Sequence, residues 1–248
     1  MRQRRTRTIP ALLLGLPLAA GLALPAHAQD VAFNFAPGGV SERALQLVAL
    51  LTILTVAPAI LIMVTSFTRI IVALSLLRSA LGTQSAPPNM VLTALALFLT
   101  AFVMSSTFET AYDAGVKPYL SGTIRESEAF EKTVEPFRAF MLRNAREKDI
   151  ELFVTLSRKP PPETAAALPL TTLIPAFMIS ELRRAFEIGF LLFLPFLVID
   201  LIVSSVLIAM GMMMVPPVMV ALPFKLIFFV IVDGWRLIAG SLVQSFAV

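Results

Sequence analysis

Residues 186–215 read FEIGFLLFLPFLVIDLIVSSVLIAMGMMMV; Pro216-Pro217 follows, and residues 218–248 resume as VMVALPFKLIFFVIVDGWRLIAGSLVQSFAV. Each run exceeds the roughly 20 residues that a helix needs to cross a bilayer. A Pro-Pro pair cannot continue a helix, so the two runs read as a helical hairpin. The same layout stands earlier in the chain. Apolar residues run from Ala44 to Val64, resume after Thr65-Ser66-Phe67-Thr68-Arg69 through Leu77, break at Pro87-Pro88-Asn89, and run again from Met90 to Phe108. Pro58 and Pro195 lie inside runs one and three and predict kinks. The expected fold is therefore all-α and membrane-associated, with two long kinked hairpins at 44–108 and 186–248 flanking a polar helical segment at 109–185.

Composition agrees. Of 248 residues, 57% are hydrophobic and 15% charged, against about 45–50% and about 25% in ordinary soluble domains. The mean hydropathy is +0.85. At the N-terminus, Arg2, Arg4, Arg5 and Arg7 precede an apolar stretch from Ala11 to Leu24 and then Pro25-Ala26-His27-Ala28. A basic start, a short apolar core and small residues at minus three and minus one predict a signal peptide at 1–28, cleaved after Ala28. Residues 29–43 form a short segment between it and the first run.

Cleavage changes the charge balance. The four signal arginines belong to the 20 basic residues, which leaves 16 basic against 16 acidic beyond Ala28. The sequence pI of 9.8 belongs largely to the signal, so nucleic-acid binding has no compositional support. The chain has no cysteine, and its one histidine is His27. Without either residue type, the part beyond Ala28 has no common metal ligand except carboxylates and no histidine base for a nucleophile. The expectation is a protein that is not an enzyme and carries no cofactor.

The stretch from Glu109 to Glu163 holds about half of the charges, as an aqueous region would. Arg125–Glu135 and Pro136–Leu156 read as amphipathic helices. On the second, Phe137, Phe140, Met141, Leu152 and Phe153 fall at helical spacing, either as the lid of a small core or as a subunit contact. A cleaved signal places the mature N-terminus outside the cytoplasm. Four crossings then put Arg69 and Arg78 on the cytoplasmic side, in keeping with the positive-inside rule, and the polar segment outside.

Ionisable residues nevertheless interrupt the apolar runs: Arg69, Glu187, Asp200, Lys225, Asp233 and Arg236. A charge at mid-bilayer costs about 2.5–3.5 kcal/mol on insertion scales, so these groups are expected to be buried against protein, a pore or each other. They form either an ion pathway, as in a small ion-coupled transporter using Glu187, Asp200 and Asp233, or pairs that hold an assembly together. Five of the 11 methionines fall between Met210 and Met219. Met212, Met213 and Met214 adjoin Gly211 and a helix break. They read either as adaptable filler or as a flexible apolar collar in a lumen.

Several longer motifs resemble the FliP family of flagellar export proteins. They are Ser66-Phe67-Thr68-Arg69-Ile70-Ile71, Ala80-Leu81-Gly82-Thr83-Gln84 with Pro87-Pro88-Asn89, and Leu95-Ala96-Leu97-Phe98-Leu99-Thr100. Pro175-Ala176-Phe177 with Ser180-Glu181-Leu182 follows, and then Pro223-Phe224-Lys225 leading to Asp233-Gly234-Trp235. Related injectisome proteins share the pattern, but the signal and Phe137-Arg138-Ala139-Phe140-Met141-Leu142 look more flagellar. The resemblance implies an export-gate subunit of a bacterial type III secretion apparatus, multi-pass in the inner membrane within the flagellar basal body. It implies a homo-oligomeric ring together with FliQ, FliR and other export-apparatus membrane proteins, around a path for unfolded substrates. It further implies that the apolar helices assemble with one another on the periplasmic side. By the same resemblance Phe140, Phe153 and Glu181 are expected at subunit contacts. Lys225 is expected to meet a carboxylate, first Glu181 of a neighbouring copy and second Asp200. Met212, Met213 and Met214 would form the gate.

Overall fold

The computed structural model describes residues 40–158, 164, 167–212 and 214–246. The expected signal peptide therefore lies outside the described residues. All regular structure among those residues is helical. The chain divides after Leu50 into two units; the described part of the first is the opening of α1 (Val40–Met63). This helix already includes residues 40–43, which the sequence reading had assigned to the preceding segment. From Ala44 to Met63 it contains no charged residue, and it continues through Pro58.

The second unit is built around α2 (Phe67–Leu81) and α8 (Leu170–Ala209). Ile70, Ala73, Leu74, Leu77, Ala80 and Leu81 form a buried stripe on α2 at the three- and four-residue spacing of one helix face. On α8, Leu173, Ala176, Phe177, Ser180, Glu181, Ala185 and Gly189 form its counterpart. Thr68 meets Met178, Arg69 meets Glu181, and Gly189 faces Leu76. Positions rise together along both helices, so α2 and α8 run side by side in the same direction. Gly82, with φ +78°, ends α2 in the left-handed conformation that glycine adopts without a Cβ clash. The chain then turns through Pro87-Pro88 into α3 (Asn89–Val103), which packs on α2.

At Met104 the path bends by 59° into α4 (Ser105–Ala111), a π-helical turn (Tyr112–Val116) and α5 (Lys117–Leu120). Against them lies α6 (Glu126–Asn144), whose first turn carries Glu126 and Glu128 where the helix dipole favours anions. The sequence reading ended one helix at Glu135 and began another at Pro136. The structure has one helix through Pro136, and the break falls at Ala145-Arg146, before α7 (Glu147–Ser157). A proline inside a helix costs about 3 kcal/mol. Packing on both sides of it offsets that cost: Gly115 fits closely against Thr133, and Phe137 meets Phe108 edge-on at 5.7 Å.

A second boundary also moves. The third apolar run was placed at 186–215, yet α8 starts at Leu170 and extends 40 residues through Pro175 and Pro195, about 60 Å at 1.5 Å per residue. Its polar first half is helical because its inner face packs on α2, α6 and α7. After α8 come α9 (Pro217–Ile231) and α10 (Gly234–Gln244), separated at Val232-Asp233 by a 66° bend. Among the described residues α8 alone is long and apolar enough to cross a membrane as one helix; counting each bent pair as one span gives up to three. Among the described residues, two of the four apolar runs are divided, the second at Met104 and the fourth at Val232-Asp233.

Candidate functional site

Arg69 is wholly buried. Its position in the first turn of α2 aims the side chain at the meeting point of α8, the end of α6 and the residues after α10. Nε donates to Glu181 Oε2 at 2.8 Å, and Nη2 donates to Glu181 Oε1 and, at 3.3 Å, to Asn144 Oδ1. Nη1 donates to the Ser245 carbonyl at 2.8 Å and to its Oγ at 3.0 Å. All five guanidinium N–H groups thus have acceptors, and the two-pronged contact with Glu181 is the strong form of this interaction. The ring of Phe246 lies 3.6 Å from the guanidinium carbon and stacks on Phe140, which meets Phe177 edge-on. A single charge therefore ties four segments into one core.

At the residue before Glu181, α7 docks on α8 through Ser180. The Ser180 hydroxyl accepts the Arg146 backbone N–H at 3.0 Å and donates to Asp149 Oδ2 at 2.6 Å. Arg146 Nε and Nη2 each donate to Asp149 at 2.8 Å. These hydrogen bonds from Arg146 hold the Asp149 carboxyl below the usual carboxylate range; burial opposes them, and the Ser180 hydroxyl adds to them.

Further along, Lys225 of α9 is 4% exposed. Its Nζ donates to Asp200 Oδ2 of α8 at 2.7 Å and to the Ala80 carbonyl at 3.2 Å. That carbonyl belongs to the last turn of α2, where unpaired acceptors and the negative end of the helix dipole favour a cation. Lys225 thus closes α2 while Asp200 balances its charge. Asp200 Oδ1 is buried and has no hydrogen-bond partner among the described residues.

Within the chain Glu181 is wholly buried and held by Arg69, and Lys225 is taken by Asp200, one of the two carboxylates expected for it. Phe140 is 5% exposed between Phe177 and Phe246. Within the chain, Phe140 and Glu181 are core groups. Phe153 is half-buried on α7. Of the residues expected to be buried and polar, Arg69 is so and Asp200 partly so. Glu187 is exposed and paired with Arg183 at 2.8 Å, and Asp233 is exposed with Arg236 at 4.0 Å. Glu187 sits on an exposed face of α8, one helical turn from Arg183, and Asp233 lies at the break that opens α10, three residues before Arg236.

The methionine loop joins α8 to α9. Gly211, with φ +74°, follows the last turn of α8; its N–H reaches the Ile208 carbonyl and the Met212 N–H reaches that of Leu207. This pair of bonds is the Schellman stop, which needs glycine at the left-handed position. Beyond it Met212 is 43% and Met214 99% exposed; Met213 lies outside the described residues. Beside the loop, α8 and α9 enclose an apolar groove of about 550 Å³, lined by Ile202, Val203, Val206, Met210, Val220 and Phe224 among others.

Sequence reasoning missed Asn144, Asp149, Ser245 and Phe246. The available signal lay in the motifs, which meet in space. Arg69 of one joins Glu181 of another, and Ala80 of a third receives Lys225 of a fourth.

Comparison with known proteins agrees with this pattern. The model of the FliP family matches residues 50–242. The chain is 58% identical over 240 residues to the flagellar biosynthetic protein FliP of Caulobacter vibrioides, covering 95% of this chain and 90% of that one. It is 50% identical to that of Agrobacterium fabrum, covering 95% and 96%, and 51% identical to that of Bacillus subtilis, covering 85% and 95%. The match spans α2 through α9 and most of α10, with every charge anchor described above, and this chain belongs to the FliP family.

Proposed function

We propose that this chain is a core export-gate subunit of the flagellar type III secretion apparatus. It forms a ring with further copies and with FliQ and FliR in the bacterial inner membrane, through which unfolded flagellar proteins pass. Family membership makes it a component of the flagellar export apparatus. The observation that supports the finer reading is the outer surface of α8. Phe186, Phe190, Leu191, Leu197, Leu201 and Ile202 are all exposed there, and so is the Arg183–Glu187 pair. Exposed apolar area of this extent marks an interaction surface, and a lipid cover alone would leave that ion pair in hydrocarbon. Neighbouring protein chains satisfy both demands. The chain itself does no chemistry in this reading: it supplies walls and a closure.

A small ion-coupled transporter using Glu187, Asp200 and Asp233 is less well supported. Each of these carboxylates has its own cation, Arg183, Lys225 and Arg236 respectively, rather than sharing one ion with the others. Purification in mild detergent from cells also making FliQ and FliR tests the reading. A large complex containing all three proteins is expected; a lone monomer or dimer that drives ion-dependent uptake in vesicles would replace it.

A further inference from the structure

We propose that the segment after α10 is a hinged latch. Ser245 and Phe246 close over Arg69, and α10 swings away about Asp233 while α2 and α8 stay packed. This goes beyond the export reading and does not depend on a ring. Along its length α10 packs on α9 and α3, with Gly234, Ile238 and Leu242 buried, while Trp235 and Leu237 are exposed. Its end is tied down more firmly. Phe246 is 1% exposed, with its ring 3.6 Å from the Arg69 guanidinium carbon and stacked on Phe140 at 6.1 Å.

The contacts of Arg69 divide in a way that makes this segment separable. Nε and Nη2 serve Glu181 and Asn144, which belong to α8 and α6. Nη1 donates to Ser245 alone, through its carbonyl and its Oγ. Lifting Ser245 and Phe246 therefore leaves the two-pronged contact with Glu181 made. The uncovered Nη1 is then hydrated rather than buried without an acceptor, which avoids the full desolvation penalty. The far end of α10 is built as the hinge. Asp233 has φ +52° and ψ +50°, a left-handed conformation that a residue with a Cβ holds at a steric cost and keeps where its surroundings over-determine it. Gly234 follows directly against the Phe229 ring, where a Cβ would come within 2.2 Å, and Trp235 meets the same ring edge-on at 5.3 Å. The 66° bend is thus seated on Phe229 at one end and held shut by Arg69 at the other. Shut, the latch seals the charged core from water; open, it uncovers Arg69 and Phe140.

The absence of cysteine allows spin labels to report this directly. Labelled full-length chain is diluted with unlabelled chain in the purified export complex, so that distances within one copy are read. Gln244→Cys with Leu182→Cys follows the latch, and Ser79→Cys with Leu182→Cys follows α2 against α8; all three positions are exposed. Without further change, each pair is expected to give one narrow distance. Phe246→Ala is expected to add a second, longer distance at the latch pair and to leave the α2–α8 pair as it was. Broadening of both pairs would overturn the proposal, because the segment would then be an ordinary part of a core that fails as a unit. An unchanged latch pair would overturn it too, since α10 would stay down without its fastening. If Phe246→Ala does not accumulate, Phe246→Leu, which keeps an apolar cover but removes the ring from Arg69, is read by the same criteria. The distances are read equally in a chain recovered alone, so failure of the export reading leaves this test intact.

Discussion

Arg69 Nε stands 2.8 Å from Glu181 Oε2 with neither side chain exposed to solvent. The two residues are 112 positions apart, and their contact fixes α2 against α8. Removing one partner of a buried pair leaves the other charge uncompensated and costs about 3–5 kcal/mol. Arg69→Ala and Glu181→Ala are each expected to abolish accumulation of folded protein, read as membrane-extracted protein that survives heating in detergent. The exchange Arg69→Glu with Glu181→Arg is expected to fail as well. The Ser245 carbonyl and Asn144 Oδ1 accept from Arg69, and a carboxylate there has nothing to donate. Arg69→Met with Glu181→Leu should recover more than the exchange does.

Asp149 sets an acid limit on the docking of α7. Its folded pKa is depressed, first by hydrogen bonds from Arg146, so its stabilisation is complete above the unfolded value of about 3.9. It is lost as pH falls through the lower folded value. The difference in melting temperature between the parent and Asp149→Asn should hold constant from about pH 7 to pH 5 and shrink below about pH 4. A difference that instead grows towards low pH would contradict the assignment.

Lys225→Ala leaves the α2 carbonyls without their cation and Asp200 without its partner. Because Asp200 is 38% exposed, water screens part of the loss, and the expected cost is on the order of 2 kcal/mol. Asp200→Asn keeps a hydrogen-bond acceptor and should cost less. Equal thermal stability of Lys225→Ala and the parent would contradict the capping role.

A Cβ at Gly189 would lie 2.3 Å from Leu76 Cδ1 and 3.0 Å from Leu76 Cβ. Gly189→Ala is thus expected to destabilise by about 1–3 kcal/mol through overpacking, and adding Leu76→Ala should restore most of it. Without rescue, the close passage of α2 and α8 is not where the strain arises.

How far the sequence revealed these features depended on the range of the interaction. Helix content and the breaks at Pro87-Pro88 and Pro216-Pro217 were legible because they are local. Pro136 misled because its cost is met by Phe108, Gly115 and Thr133, which approach only in the folded chain. The start of α8 was hidden by Arg183, Arg184 and Glu187, which reduce hydropathy without interrupting a helix. Residue types alone showed that Arg69, Asp200 and Lys225 needed partners, but with Glu187, Asp233 and Arg236 also in the apolar runs several pairings were open. Only the register of α2 beside α8 separates them, and no single-chain pattern encodes that register. Met212 and Met214 were visible as a composition anomaly, and their exposure beside a glycine stop was not.

We propose that the loop carrying Met212, Met213 and Met214 closes the export path, and ion conductance tests this most directly. Purified complexes of the parent and of a Met212→Ala, Met213→Ala, Met214→Ala variant are to be reconstituted and compared in planar bilayers. The loop is exposed at Met212 and Met214 and contributes little to the chain's own core, so assembly is expected to be unchanged. Shortening three side chains on every copy should open a steady ion leak that the parent complex lacks. A variant complex of parent composition that is as tight to ions as the parent would contradict the collar and return the methionines to the role of filler.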